Sequence, residues 1–159
     1  MIKNIFLNHK GKSTTASKEH CTYLDASQVG ILYHADDFPD QVVTELENQL
    51  KADGKNVARI GYVEKATEQA LLFSKKDISG TGTIKKNQLS FFINQSFDFL
   101  ISLDTSGNIN YKYVLALSKA TCKVGFETEQ YYDLLQMSVK MEENKSDAMK
   151  SIIRYLKMI

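Results

Sequence analysis

The sequence predicts a three-layer α/β domain with a mostly parallel β-sheet and helices on both faces. Three observations carry this expectation. Residues 29 to 63 read as one strand–helix–strand unit. "FDFLISLD" (97 to 104) has the continuous apolar character of a strand covered on both sides. A length of 159 residues, with 43% hydrophobic and 10% aromatic content, is enough for one sizeable core.

The elements follow in order. Residues 1 to 8 suggest a short helix with Ile2, Ile5 and Phe6 on one side, and residues 9 to 27 are polar and irregular. We therefore expect an N-terminal helix and arm over 1–28 and one α/β domain over 29–159. "VGILY" (29 to 33) has strand length. In the segment that follows, Val42, Val43, Leu46 and Leu50 recur at helical spacing, with Asp37 as a candidate cap, Pro39 in the first turn and Gly54 at the stop. "VARIGYV" (57 to 63) is the second strand. "ALLFS" (70 to 74) suggests a short strand, and "NQLSFFINQ" a helix through Leu89, Phe92 and Ile93. After "FDFLISLD" come a helix over "NINYKYVLALSKA", a strand "CKVGF" (122 to 126), a strand "YYDLLQMSV" (131 to 139) and a closing helix over 145–158. About five residues separate "CKVGF" from "YYDLL", whereas a parallel crossover needs about 10 or more. This predicts that the two strands either pair antiparallel or are not neighbours, and allows one antiparallel strand near the C-terminus.

Composition narrows the function. The net charge of +1 gives no global pull toward nucleic acid or membrane, and no apolar run reaches the ~20 residues of a bilayer span. Cys21 and Cys122 lie far apart in the sequence, which fits reduced thiols in a cytoplasm better than a disulfide scaffold. The start of the chain lacks a signal peptide's apolar centre. "HKGKSTT" (9 to 15) imitates the end of a phosphate-binding loop, but Phe6 stands where that loop needs its first glycine, so a nucleotide hydrolase is not expected. "SGTGT" (79 to 83) offers backbone N–H groups that a phosphate would accept, without opening directly into a well-defined helix.

In open parallel sheets, ligands bind beyond the carboxyl ends of the strands. That edge presents His34, Asp36 and Asp37 after the first strand, Glu64 and Lys65 after the second, and Asp104, Thr105 and Ser106 after the fourth. His34, Asp36, Asp37, Asp104 and Thr105 are the candidate ligand-binding residues. Converging carboxylates there would hold Mg²⁺ through oxygen, and Asp104→Asn would then slightly stabilise the metal-free protein by removing a like charge. The competing reading makes Asp36 and Asp37 helix-capping acids and Asp104 a turn residue before Gly107. No His or Cys stands at zinc-ligand spacing, and no serine sits in a nucleophile motif. We expect no metal, no cofactor and no catalytic residue. The leading reading is a non-catalytic binding or interaction module whose partner is a protein or a small phosphate-bearing ligand. The alternative is a small enzyme or phosphate-responsive switch using the strand-end carboxylates.

Three resemblances bear on this. "ILYHADDFPDQVVTELENQLKADGKNV" resembles the opening of a response-regulator receiver domain. That likeness implies Mg²⁺ at Asp36 and Asp37 and phosphorylation at Asp104, although no Lys-Pro follows the last strand. "FDFLISLDTSGNINYKYVLALSKATCKVGF" resembles a segment of heptosyltransferase-type glycosyltransferases, which implies a Rossmann-like topology. "DISGTGTIK", "FDFLISLD", "SKATCKVGF" and "YYDLL" together resemble an uncharacterised family of small bacterial α/β proteins, which implies a bacterial cytoplasmic protein and no assigned activity.

Overall fold

A computed structural model describes residues 22–159. The expected N-terminal helix, the "HKGKSTT" turn, Cys21, His9 and His20 lie outside the described residues.

Among the described residues the six strands are β1 (Gln28–His34), β2 (Asn56–Tyr62), β3 (Leu72–Phe73), β4 (Phe99–Leu103), β5 (Cys122–Phe126) and β6 (Met137–Val139). The four α-helices are α1 (Asp40–Ala52), α2 (Asn87–Asn94), α3 (Ile109–Leu117) and α4 (Lys145–Leu156). The strands form one sheet in the order β3-β2-β1-β4-β5-β6, and every pairing is parallel. This is the doubly wound Rossmann order, in which the chain steps outward from β1 in one direction and from β4 in the other.

Alternation along the strands divides the core into two layers. Val29, Ile31 and Tyr33 of β1 join Phe99, Ile101 and Leu103 of β4 on the face covered by α1 and α4. Leu32, Ile60, Tyr62 and Leu100 point to the other face, beneath α2 and α3. β4 is buried at all five positions because it has strands on both sides and helices on both faces. That double cover explains its unbroken apolar sequence.

Helix α1 starts from Pro39, whose extended backbone makes it the N-cap without a side-chain hydrogen bond. Asp37 is therefore not the cap. The helix stops as expected: Gly54 takes φ +83°, Lys55 N–H bonds Leu50 C=O at 3.0 Å, and Gly54 N–H bonds Lys51 C=O at 3.0 Å. This is the paired C-terminal closure that favours glycine.

The antiparallel option near the C-terminus is corrected. The first half of the expected strand 131–139 belongs to a 3₁₀ turn over Glu129–Tyr131 and the chain after it; only Met137–Val139 is strand. Ten residues thus separate β5 from β6, and β6 pairs parallel to β5. The turn tucks Tyr131 and Leu134 into the core, so a compact link does the work of a crossover helix.

Ile101 is fully buried at the centre of the sheet. Ile101→Ala is expected to cost about 2–5 kcal/mol, from lost burial and the cavity left behind. Denaturant unfolding measures this, and a cost at the level of an exposed site would contradict its central position.

Candidate functional site at the sheet's switch point

Between β1 and β4 the winding reverses, and a crevice beyond their carboxyl ends is the usual ligand position in such sheets. Here His34 closes β1 and Asp104 follows β4. Their parallel register (Tyr33 beside Leu103) brings the two side chains together. His34 Nδ1 lies 2.8 Å from Asp104 Oδ1, with the residues 5% and 1% exposed. An ionised carboxylate only accepts hydrogen bonds, so Nδ1 carries the proton.

Asp104 has three further donors. Ser106 Oγ lies 2.9 Å from both carboxylate oxygens, Gly107 N–H donates to Oδ2 at 3.2 Å, and the Tyr131 hydroxyl donates to Oδ2. Gly107 stands at φ +72°, in the left-handed region, which aims its N–H back at Asp104. Its missing Cβ would meet Gln130 Oε1 at 2.6 Å. Asn108 then caps α3, accepting from Asn110 N–H and Tyr111 N–H. A carboxylate offers about four lone-pair directions, and Asp104 meets four donor groups. It is saturated.

The electrostatics follow. Burial pushes the Asp104 pKa up, but the bonds from His34, Tyr131 and Ser106 outweigh it and hold the pKa below the usual 3.8. The hydrogen bond to Asp104 raises the His34 pKa above 6.5, burial opposes this, and the charges of Asp104, Asp37 and Asp36 add to the rise. Tyr131 is pushed far above the ordinary tyrosine value, by burial first and then by the charges of Tyr111 and Asp104. It is a permanent donor here.

The other nitrogen of His34 has different surroundings. Nε2 is buried and makes no hydrogen bond. It faces Asp36 Oδ2 at 3.7 Å and Glu64 Oε1 at 3.9 Å. Glu64 is held by Asn108 Nδ2 at 3.1 Å and the Tyr62 hydroxyl at 3.3 Å, while Asp36 Oδ2 accepts Glu64 N–H at 3.1 Å. Asp37 Oδ2 is 3.4 Å from Nδ1, the nitrogen already given to Asp104. Asp36, Asp37 and Glu64 have side chains 52%, 48% and 59% exposed, and so form an acidic rim over a buried imidazole.

Of the residues anticipated from sequence, His34, Asp36, Asp37 and Asp104 do come together. Thr105 is exposed in the adjoining turn and takes no part in this network. The reading of Asp36 and Asp37 as helix caps is corrected, because both turn toward His34. The surroundings of Asp104 change what Asp104→Asn is expected to do, because the group beside Asp104 is the His34 ring and not an unrelieved carboxylate. In "SGTGT" three of the N–H groups are already committed within the turn: Ser79 N–H bonds Thr83 C=O at 2.9 Å, Gly82 N–H bonds Ser79 C=O at 2.9 Å and Thr83 N–H bonds Ser79 Oγ at 2.8 Å. Tyr131 was missed because it was assigned to a strand. Asn108 was missed as a cap and as a partner of Glu64, although an Asn immediately before a helical pattern is a recognisable cap signal.

The arrangement is not a nucleophilic triad. Ser106 approaches the same nitrogen that Asp104 holds, at 3.4 Å, and its proton is directed to Asp104. A triad needs the hydroxyl on the opposite nitrogen. A phosphoryl acceptor needs an exposed oxygen with a free lone pair, and Asp104 has neither.

All of residues 1–159 match DUF6913, a family of unknown function. The chain belongs to that family. No curated protein matches it. No solved structure matches it. No helix among the described residues is long and apolar enough to cross a membrane.

Two outcomes are expected for the buried pair. Asp104→Asn should destabilise by about 3 kcal/mol, because it leaves His34 and Tyr131 aimed at a group that can no longer accept from both. The pH dependence follows from the two shifts. His34, with a raised folded pKa, contributes stability fully present below pH 6.5 and lost as pH rises through its folded value. Asp104, with a lowered folded pKa, contributes stability present above pH 3.8 and lost as pH falls through its folded value. Melting curves across pH should therefore show wild-type stability declining on both sides of that window, with both shoulders flattened in Asp104→Asn.

Proposed function

We propose that this protein is a non-catalytic binding module that recognises a positively charged ligand or partner group at the acidic rim over β1, β2 and β4. One observation carries the reading. Three exposed carboxylates stand around an imidazole whose own carboxylate partner is saturated and sealed from solvent. Fixed negative charge at the mouth of a site attracts cations and repels phosphate, so a cationic ligand fits better than the phosphate-bearing one expected from sequence.

Two features weigh against an enzyme or a phosphate switch. Ser106 has no base free to activate it, and Asp104 has no oxygen free for phosphoryl transfer or Mg²⁺. Two partly apolar grooves also lie away from this rim. A groove of about 450 Å³ runs between α1 and α4 beside Leu46, Met149 and Ile153, and one of about 640 Å³ runs beside β2 under Phe91. Neither is lined by His34 or Asp104. Enzyme sites ordinarily place their titratable groups inside a well-formed cleft, whereas a charged rim suits recognition. We place the protein in the bacterial cytoplasm. The small-α/β-protein resemblance and two cysteines far apart in sequence support that placement.

A thermal-shift series tests the function. Spermidine and a lysine-rich peptide should raise the melting temperature at fixed ionic strength, while ATP and a sugar phosphate should not. The response should disappear in Asp36→Asn/Glu64→Gln and survive in Asp25→Asn/Glu45→Gln, which removes the same charge elsewhere. Preference for the anions, or a cation response intact in the rim variant, would sink the reading.

A further inference from the structure

The two ring nitrogens of His34 differ, and the difference names a ligand class. Nδ1 is fixed by a buried carboxylate that is itself held by Ser106, Gly107 and Tyr131. Histidines that bind metals through one nitrogen commonly donate the other N–H to such a carboxylate, which sets the tautomer and the ring direction. The side chain of His34 is 6% exposed, and its Nε2 is buried without a hydrogen bond. A buried polar atom left so is costly and calls for a partner. The groups it faces are two carboxylates.

We infer that His34 Nε2, Asp36 and Glu64 form a binding site for a divalent first-row transition-metal ion such as Zn²⁺ or Co²⁺. The inference rests on the cation-binding reading above and specifies the cation. Two of the ligand separations bear on it. Ligands about 2.0–2.2 Å from a tetrahedral metal lie about 3.3–3.5 Å from one another. The observed separations from Nε2 are 3.7 Å to Asp36 Oδ2 and 3.9 Å to Glu64 Oε1. Both carboxylates are about half exposed, and each would exchange part of its present hydrogen bonding (Asn108 and Tyr62 on Glu64, the Glu64 N–H on Asp36) to close in on the ion. A fourth position open to solvent would accept water or an outside group.

Donor type selects the metal. An imidazole nitrogen with two carboxylates suits Zn²⁺, Co²⁺ or Mn²⁺, whereas Mg²⁺ and Ca²⁺ prefer all-oxygen shells. Charge points the same way, because Asp36, Asp37, Glu64 and Asp104 surround one imidazole and a divalent ion offsets part of that excess. The grouping whose ligand atoms already lie within 4.8 Å of one another is a different one, His34, Asp37 and Asp104. That set requires Asp104 oxygens and the Nδ1 position, which are already committed to hydrogen bonds. The open side of the ring is the Nε2 side.

The test uses the full chain, stripped with chelator and then titrated with Zn²⁺, Co²⁺ or Mg²⁺. Zn²⁺ and Co²⁺ should raise the melting temperature by roughly 5 °C or more at a hundredfold excess over Kd, with little change from Mg²⁺. Bound Co²⁺ should give visible d–d absorption, and Zn²⁺ should move the His34 Nε2 resonance in ¹⁵N NMR. Asp36→Asn and Glu64→Gln, both at exposed positions, should each weaken Zn²⁺ affinity at least about tenfold. Asp37→Asn, which removes a rim charge but no proposed ligand, should weaken it clearly less. No response to Zn²⁺ or Co²⁺ would overturn the inference and leave a bridging water as the partner of Nε2. Equal weakening in all three variants would reduce it to diffuse charge attraction, and loss in Asp37→Asn alone would move the ion to the Nδ1 side. If spermidine still binds through the rim while Zn²⁺ does not, the metal assignment fails and the binding-module reading stands.

Discussion

The carboxylate of Asp104 is the group on which the rest of this site depends. Removing an ionised carboxylate from water costs several kcal/mol unless hydrogen bonds and an opposite charge replace the lost hydration. Asp104 is 1% exposed, and its compensation comes from three separate parts of the chain: His34 at the end of β1, Ser106 and Gly107 in the turn before α3, and Tyr131 in the link from β5 to β6. Each donor is in place only if its own element is docked. The charge therefore couples the two halves of the sheet at the seam where its winding reverses. The walls strengthen this coupling. Tyr62 meets the His34 ring edge-on at 5.3 Å between centroids, and Tyr111 packs edge-on to Tyr131 at 6.0 Å. Tyr111 also donates to Leu32 C=O at 2.7 Å, joining the layer beneath to β1. Aromatic walls lower the local dielectric, so each charge-assisted bond inside them is stronger and each unpaired polar atom costs more.

Much of the fold was legible because burial dictates it. A strand covered on both faces has little choice but a continuous apolar run, which is why "FLISL" is recognisable without its neighbours. The β1–α1–β2 unit was legible because helical spacing, Pro39 and Gly54 agree. What failed involved competition between partners that only the tertiary structure brings together. Asp36 and Asp37 have the chemistry and position of helix caps, and nothing local says that His34 offers a better partner. Tyr131 sits in "YYDLLQMSV", whose apolar content suits a strand or a packed turn equally. The choice falls to the turn because Asp104 and the core beneath α3 both need that side chain. The same choice lengthens the link to β6 and removes the reason for an antiparallel strand.

The site was partly legible for a related reason. Topology alone delivers His34 and Asp104 to one edge, since parallel neighbours share their carboxyl ends. Topology does not give their pairing or the direction of each ring nitrogen. Those follow from the register that sets Tyr33 beside Leu103, and from Gly107, whose positive φ turns an N–H toward the carboxylate. The sequence pointed to an acidic cluster, and a cluster of like charges suggests mutual repulsion. The structure places one imidazole among these acids, so the energetic sign expected at Asp104 reverses.

This reversal bears on binding. The groups that fix His34 are core groups, whereas the groups facing its other nitrogen are surface acids. A ligand at Nε2 finds the imidazole already held in one orientation, with the entropy of ordering it met during folding. Only Asp36 and Glu64 need to be ordered, and Glu64 is already held by Asn108 and Tyr62. Preorganisation of this kind favours affinity by reducing what association must restrict. It also links ligand and fold in one direction. An occupant of Nε2 requires the Nδ1–Asp104 bond, and that bond requires β1, the α3 turn and the β5–β6 link to be assembled. Binding at the proposed site would therefore select the state in which the seam of the sheet is closed and stabilise it by the ligand's differential affinity for that state.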